Sequence, residues 1–209
     1  MKKNILSILV VFIMLLAGFA NVAKAQSKTK EDIKKFMLQL STDVIALVQS
    51  PISYEEYSKR MSAMVDKHSA YDQLTAFVLG PYNRQISDID RAKVKLALID
   101  YFHIFFARQF KNYKGQTTVV ENVQIGKNNV YTVRVNFVPP ANSTTPMLVT
   151  DWRLWWHQGE FRVMDIIVNN ISMIAVIRSE TTSIIAQANG DINQLVNRLR
   201  QRARTVKVK

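Results

Sequence analysis

Residues 147–168 read MLVTDWRLWWHQGEFRVMDIIV, and this stretch decides the fold. Trp152, Leu154 and Trp156 alternate with Asp151, Arg153 and Trp155, the period of two that gives a strand one face for burial. Gln158-Gly159 makes a tight turn, after which Phe161 and Val163 alternate with Glu160 and Arg162. Met147–Gln158 and Glu160–Val168 are therefore two antiparallel strands. Strict alternation also puts Asp165 on the face of Phe161 and Val163. A buried carboxylate costs several kcal/mol unless it is paired or hydrogen-bonded. Either a bulge returns Asp165 to solvent, or it pairs with Arg178 on the following helix at the edge of an interior pocket.

Upstream, the same period covers Thr117–Ile125 and Val130–Val138, joined by Gly126-Lys127-Asn128-Asn129. Tyr131, Val133, Val135 and Phe137 share one face of the second strand, opposite Thr132, Arg134 and Asn136. Pro139–Pro146 is a loop with three prolines, which cannot join the centre of a ladder. Before Thr117 the period is helical. Thr29 caps a helix carrying Ile33, Phe36, Met37, Leu40, Val44, Ile45 and Val48 on one face, and Ser50-Pro51 ends it. Ser53 and Glu56 form a capping box for a second helix, and residues 71–86 read as short helical turns. Ser87-Asp88 opens the longest helix, to about Tyr113, with an inner stripe of Ala92, Leu96, Ile99, Phe102, Phe105, Phe106, Gln109 and Phe110. Two short helices split by Asn189-Gly190-Asp191 close the chain. The expectation is α+β: N-terminal helices packed on a curved four-stranded antiparallel sheet, with two short C-terminal helices.

The first 25 residues read as a signal peptide: Lys2 and Lys3, an apolar run over 8–17, then Ala23-Lys24-Ala25 before Gln26. The apolar run is shorter than the roughly 20 residues a spanning helix needs. Export follows, with 26–209 expected as a single domain. The chain has no cysteine, so no disulfide and no lipidated cysteine hold it, and a hydrophobic core must do the work. Losing three leader lysines turns a net charge of +12 into +9. Outside the cytoplasm that charge suits anionic headgroups or acidic proteins, or serves only solubility, and no nucleic-acid partner is expected. The cationic tail, Arg198, Arg200, Arg202, Arg204, Lys207 and Lys209, reads either as a solvated helix end or as a steering patch.

Catalytic chemistry finds little support. His68, His103 and His157 lie on three separate elements without ligand spacing, so no metal is expected. There is no G-x-S-x-G nucleophile elbow, and six glycines leave no phosphate-cradling loop. The conspicuous feature is apolar instead. Aromatic residues on the long helix face aromatic residues on the sheet, and eight methionines make adaptable walls. Periodicity does not distinguish a filled core from a lined cavity.

The order of several loose motifs resembles one family. Phe161-Arg162-Val163-Met164-Asp165-Ile166 is followed by Ser172, Arg178-Ser179-Glu180 and Gly190-Asp191-Ile192 with Leu195 and Leu199. Leu79-Gly80-Pro81-Tyr82-Asn83-Arg84 precedes them, with Phe106-Ala107 and Tyr113-Lys114-Gly115 between. This pattern is similar to the MlaC-type periplasmic phospholipid-binding proteins, the toluene-tolerance family. Asn83, Phe106, Asn169-Asn170 and Thr181 depart from it, standing where a tryptophan, a tyrosine, Glu-Gly and an aromatic are usual.

The resemblance implies a cone-like fold, similar to nuclear transport factor, whose pocket takes the acyl tails of a phospholipid and leaves the headgroup in water. It implies a soluble, monomeric periplasmic carrier, non-enzymatic and without a cofactor, its phospholipid being cargo. Such a carrier shuttles lipid between an outer-membrane lipoprotein–porin complex and an inner-membrane ABC transporter complex. The wall residues expected on this reading are Met37, Leu40, Leu96, Ile99, Phe102, Phe106, Val133, Val135, Phe137, Trp152, Leu154, Trp156, Phe161 and Val163, with Asp165 and Arg178 at the pocket edge. The alternative is an exported cone-fold enzyme or scaffold protein with a closed core.

Overall fold

A computed structural model describes residues 28–111 and 113–205. The expected leader lies outside the described residues, as do Lys207 and Lys209. The first two helices begin where a side chain satisfies orphan backbone N–H groups. In α1 (Lys30–Gln49) Thr29 Oγ1 accepts the Asp32 N–H at 3.1 Å, and the Asp32 carboxylate accepts the Thr29 N–H at 3.0 Å. In α2 (Tyr54–His68) Ser53 Oγ accepts the Glu56 N–H at 3.2 Å. Next come α3 (Tyr71–Leu79), a 3₁₀ turn over Gly80–Arg84, and α4 (Asp88–Lys111), which Ser87 caps through the Asp90 N–H.

The sheet is an antiparallel meander in the order β1 (Thr117–Ile125), β2 (Val130–Val138), β3 (Leu148–His157), β4 (Glu160–Val168), β5 (Ile171–Ser172). Four strands match the reading of the sequence, and the two-residue β5 adds a fifth at the edge. Its hairpin turns on Asn169 and Asn170, both at positive φ (49° and 63°), which asparagine tolerates better than most residues. Asn128-Asn129 and Gln158-Gly159 turn the other hairpins in the same left-handed region. Irregularities between Val120 and Asn122 and across Arg153/Leu154 bend the sheet. After β5 come α5 (Met173–Gln187), capped by Ser172, and α6 (Ile192–Thr205).

Three apolar clusters hold these layers. On the inner face of the sheet, Ile33 and Met37 of α1 pack with Val123, Tyr131, Val133, Val135, Trp152, Leu154 and Phe161. In the helical layer, Val94, Ala97, Leu98 and Tyr101 of α4 meet Ile174, Ile177 and Ile185 of α5 and Leu195 and Leu199 of α6. Between them Leu47, Tyr57, Met61 and Ala107 join α1, α2 and α4. The Tyr57 hydroxyl donates to the Ala107 carbonyl at 3.0 Å, and burial pushes its pKa up to about 12.

The phase of α4 corrects the sequence reading. Leu96 is 57% exposed, and Ile99 is half-buried outside all three clusters; the N-terminal half buries Val94, Ala97 and Leu98 instead. The physical reason is that α6 and α3 pack along α4 as well as α2, so the helix is apolar on more than one side. Its apolar residues then fit two stripes, and spacing alone selects neither. Among the described residues no helix is long and apolar enough to cross a membrane.

Candidate functional site

The clusters leave a hollow of about 690 Å³ where α1, α4 and the sheet converge. Met37, Leu40, Val44 and Val48 of α1 form one wall, Phe105, Phe106 and Phe110 of α4 a second. Val135, Phe137, Trp152 and Ile166 of the sheet form the third. Few polar atoms reach the interior unpartnered. Thr150 Oγ1 donates to the Val135 carbonyl at 3.1 Å and accepts the Trp152 indole N–H at 2.9 Å, so the indole turns a satisfied ring to the space. The Ser41 and Thr118 hydroxyls bond each other across the α1–β1 seam. Among the described lining residues Arg202 of α6 is the only one with a charged side chain. Leu148, Ile171 and Val176 line the hollow and are also exposed, which makes an apolar rim at its opening.

Six of the expected wall residues line this hollow: Met37, Leu40, Phe106, Val135, Phe137 and Trp152. The others do not. Val133 and Leu154 are wholly buried in the solid cluster between α1 and the sheet, with Phe161 and Trp156 packed around them. Phe102 and Val163 line a separate void of about 50 Å³, divided from the first by Phe105, Phe106, Ile166 and Met173. Leu96 and Ile99 belong to neither cavity. Missed by the sequence reading were Tyr113, Gln116 and the rim residues, whose apolar or mixed character carried no periodic signal, while Gln109 stood on the inner stripe of the long helix without being counted among the wall residues.

The pairing of Asp165 with Arg178 is also corrected. A bulge at Met164 lets Val163 face Leu154 while Asp165 falls opposite Arg153. Asp165 stays buried, at 5% exposure, and Oδ1 accepts the Ile174 N–H at 3.2 Å. Its Oδ2 makes no hydrogen bond and lies 3.5 Å from Arg153 Nη1 as an ion pair. Arg178 turns away: its guanidinium lies 4.9 Å from the centre of the Phe77 ring and packs against Gly80. Asp165 lines the small void, not the large hollow.

Groups suited to catalysis are dispersed. His68 packs edge-on to Phe36 and, largely through burial, is held below the usual imidazole pKa. His103 meets Asp66 at 2.6 Å, and His157 stacks on Trp155 at 4.0 Å. Among the described residues no group of three His, Asp or Glu side chains is placed to hold a metal ion. Burial raises the Tyr101 hydroxyl pKa, opposed by the nearby Arg202 guanidinium.

Three likenesses to known proteins agree with this geometry. The family model described as "MlaC protein" matches residues 38–201. The intermembrane phospholipid transport system binding protein MlaC of Haemophilus influenzae is 27% identical over 128 residues, 60% of this chain. The match spans 58% of that curated relative's length. The solved structure of a phospholipid-binding protein from Ralstonia solanacearum, in complex with a phospholipid, superposes with a TM-score of 0.67 at 16% identity. It covers 79% of this chain and 93% of its own; at that identity the likeness concerns the fold.

Proposed function

The chain belongs to the MlaC family, and we propose that it is a periplasmic phospholipid carrier that holds acyl tails in the hollow between α1, α4 and the sheet. The observation that carries this reading is the hollow itself: about 690 Å³, walled by aliphatic and aromatic side chains, with a single charged group among the described residues. A closed-core enzyme or scaffold has no use for such a volume, since interiors normally pack to crystal-like density.

The magnitudes require enclosure. Two acyl chains hold roughly 30 methylenes at about 0.8 kcal/mol each, so exposing them to water costs on the order of 20 kcal/mol. A surface groove offsets only part of that. An apolar chamber replaces the bilayer interior with a similar environment, and exchange with a membrane is then close to balance. Direction comes from the donor and acceptor, here an outer-membrane lipoprotein–porin complex and an inner-membrane ABC transporter complex. The six wall residues, Met37, Leu40, Phe106, Val135, Phe137 and Trp152, touch the tails in this reading.

Native mass spectrometry of the protein purified from its own host tests it. Co-purifying two-tailed phospholipid at one per chain is the expected result. Bare protein that also takes up no lipid from phospholipid vesicles overturns the reading.

A further inference from the structure

We infer that Arg202 and Glu180 form a headgroup clamp that favours phospholipids carrying an amine, zwitterionic overall, over singly anionic ones with the same tails. This rests on the carrier reading and adds to it what the opening recognises. Arg202, from α6, brings the only charge that the described residues place in the wall of the hollow. Its guanidinium is ion-paired to the Glu180 carboxylate on α5 and lies 6.0 Å from the centre of the Tyr101 ring. The two side chains are 38% and 45% exposed, so the pair sits at the opening and not in the depth. Val176, one turn before Glu180 on α5, belongs to the exposed apolar rim, and Ile177 lines the hollow. Rim, chamber wall and charge pair therefore adjoin within about one turn of α5, close enough for the glycerol, tail and headgroup of one lipid to meet them together.

A guanidinium fork fits a phosphate as well as it fits a carboxylate. When a lipid phosphodiester takes Arg202, Glu180 loses part of its partner and faces a second negative charge. An ammonium on the same headgroup restores the balance, with phosphate on Arg202 and amine on Glu180. A glycerol headgroup supplies no cation, and the carboxylate and phosphate repel. A pair this exposed is worth up to about 1 kcal/mol, so the discrimination is about two- to five-fold.

The test is exchange to equilibrium with vesicles of equal phosphatidylethanolamine and phosphatidylglycerol bearing identical tails, with bound lipid read by native mass spectrometry. The expected wild-type result is an excess of phosphatidylethanolamine of about two- to five-fold. Glu180→Gln is expected to bring the ratio to about one or below. Arg202→Gln is expected to lower retention of both phospholipids relative to a diacylglycerol of the same tails. Arg200→Gln, which removes a neighbouring cation paired instead with Asp100, leaves the ratio as it is. Inorganic phosphate in excess does not change it either.

Bound lipid that mirrors the vesicle composition overturns the clamp while leaving the carrier reading intact. So does an unchanged ratio in Glu180→Gln, an Arg200→Gln shift as large as that of Glu180→Gln, or loss of the bias in phosphate, which marks a site for the free anion. No lipid uptake by the wild-type protein overturns both readings.

Discussion

The buried carboxylate of Asp165 on β4 accepts the backbone N–H of Ile174, at 3.2 Å, in the first turn of α5. One strand residue thereby fixes the helix that supplies part of the rim of the hollow and its separating wall, Met173 and Val176. Asp165→Ala orphans that N–H in a buried place and leaves Arg153 without its carboxylate. The expected loss is about 1–3 kcal/mol in urea unfolding followed by tryptophan fluorescence. A variant as stable as wild type shows that the tie carries no weight.

Cavity residues and core residues separate under mutation. Leu40 lines the hollow, so Leu40→Trp has open volume to enter. It is expected to reduce lipid retention at least ten-fold in a vesicle uptake assay, at a cost in stability of less than about 1.5 kcal/mol. Val133→Asp and Leu154→Asp look similar on the sequence, yet both positions are wholly buried in solid packing. A lone charge there costs more than about 4 kcal/mol, and loss of the cooperative unfolding transition is expected. Folded Val133→Asp protein with impaired lipid uptake would mean that the hollow extends to Val133.

That contrast shows where the sequence stops being legible. Val133 and Val135 share one face of β2, and alternation marks both as inward. Only Val135 borders empty space. The difference depends on which helix residues stand opposite, a property of three elements at once that no single period encodes. The hairpins were legible because Asn128-Asn129 and Gln158-Gly159 permit the left-handed backbone their turns require. The bulge at Met164 was legible only as an alternative, because an inserted residue leaves the apolar-polar string looking continuous, and its consequence, a buried Asp165 facing Arg153, was not. Likewise Leu96 and Val94 compete for the inner stripe until α3 and α6 choose between them.

His68 supplies a pH dependence. Burial first, then the neighbouring Lys67, depress its pKa in the folded state from the ordinary 6.5. The unfolded chain therefore takes up the proton first as pH falls. The contribution to stability is complete above pH 6.5 and is lost as pH drops through the lower folded value. Between pH 7.5 and pH 5, His68→Gln is expected to lose less stability than wild type, measured by urea midpoint at each pH. Equal losses in both proteins place the sensitivity elsewhere.

Gly80 joins α3 to the 3₁₀ turn at φ 55° and ψ −125°, backbone that residues with a Cβ avoid. A Cβ there also meets Arg178 Nη2 at 3.1 Å. Gly80→Ala is expected to cost about 1–3 kcal/mol, mostly from the backbone, since the guanidinium end of Arg178 has room to yield. Thermal unfolding checks it, and an unchanged midpoint contradicts the assigned geometry.

The central claim is that acyl tails lie between α1, α4 and the sheet, and tail-directed photo-crosslinking measures it most directly. The protein is loaded with a phospholipid carrying a diazirine near the end of one tail, irradiated, digested and sequenced by mass spectrometry. Labels on peptides of α1, α4 and β2 that carry Leu40, Phe106, Val135 and Phe137 are the expected result. Labels confined to the outer face of the sheet, around Arg134 and Trp155, would contradict it.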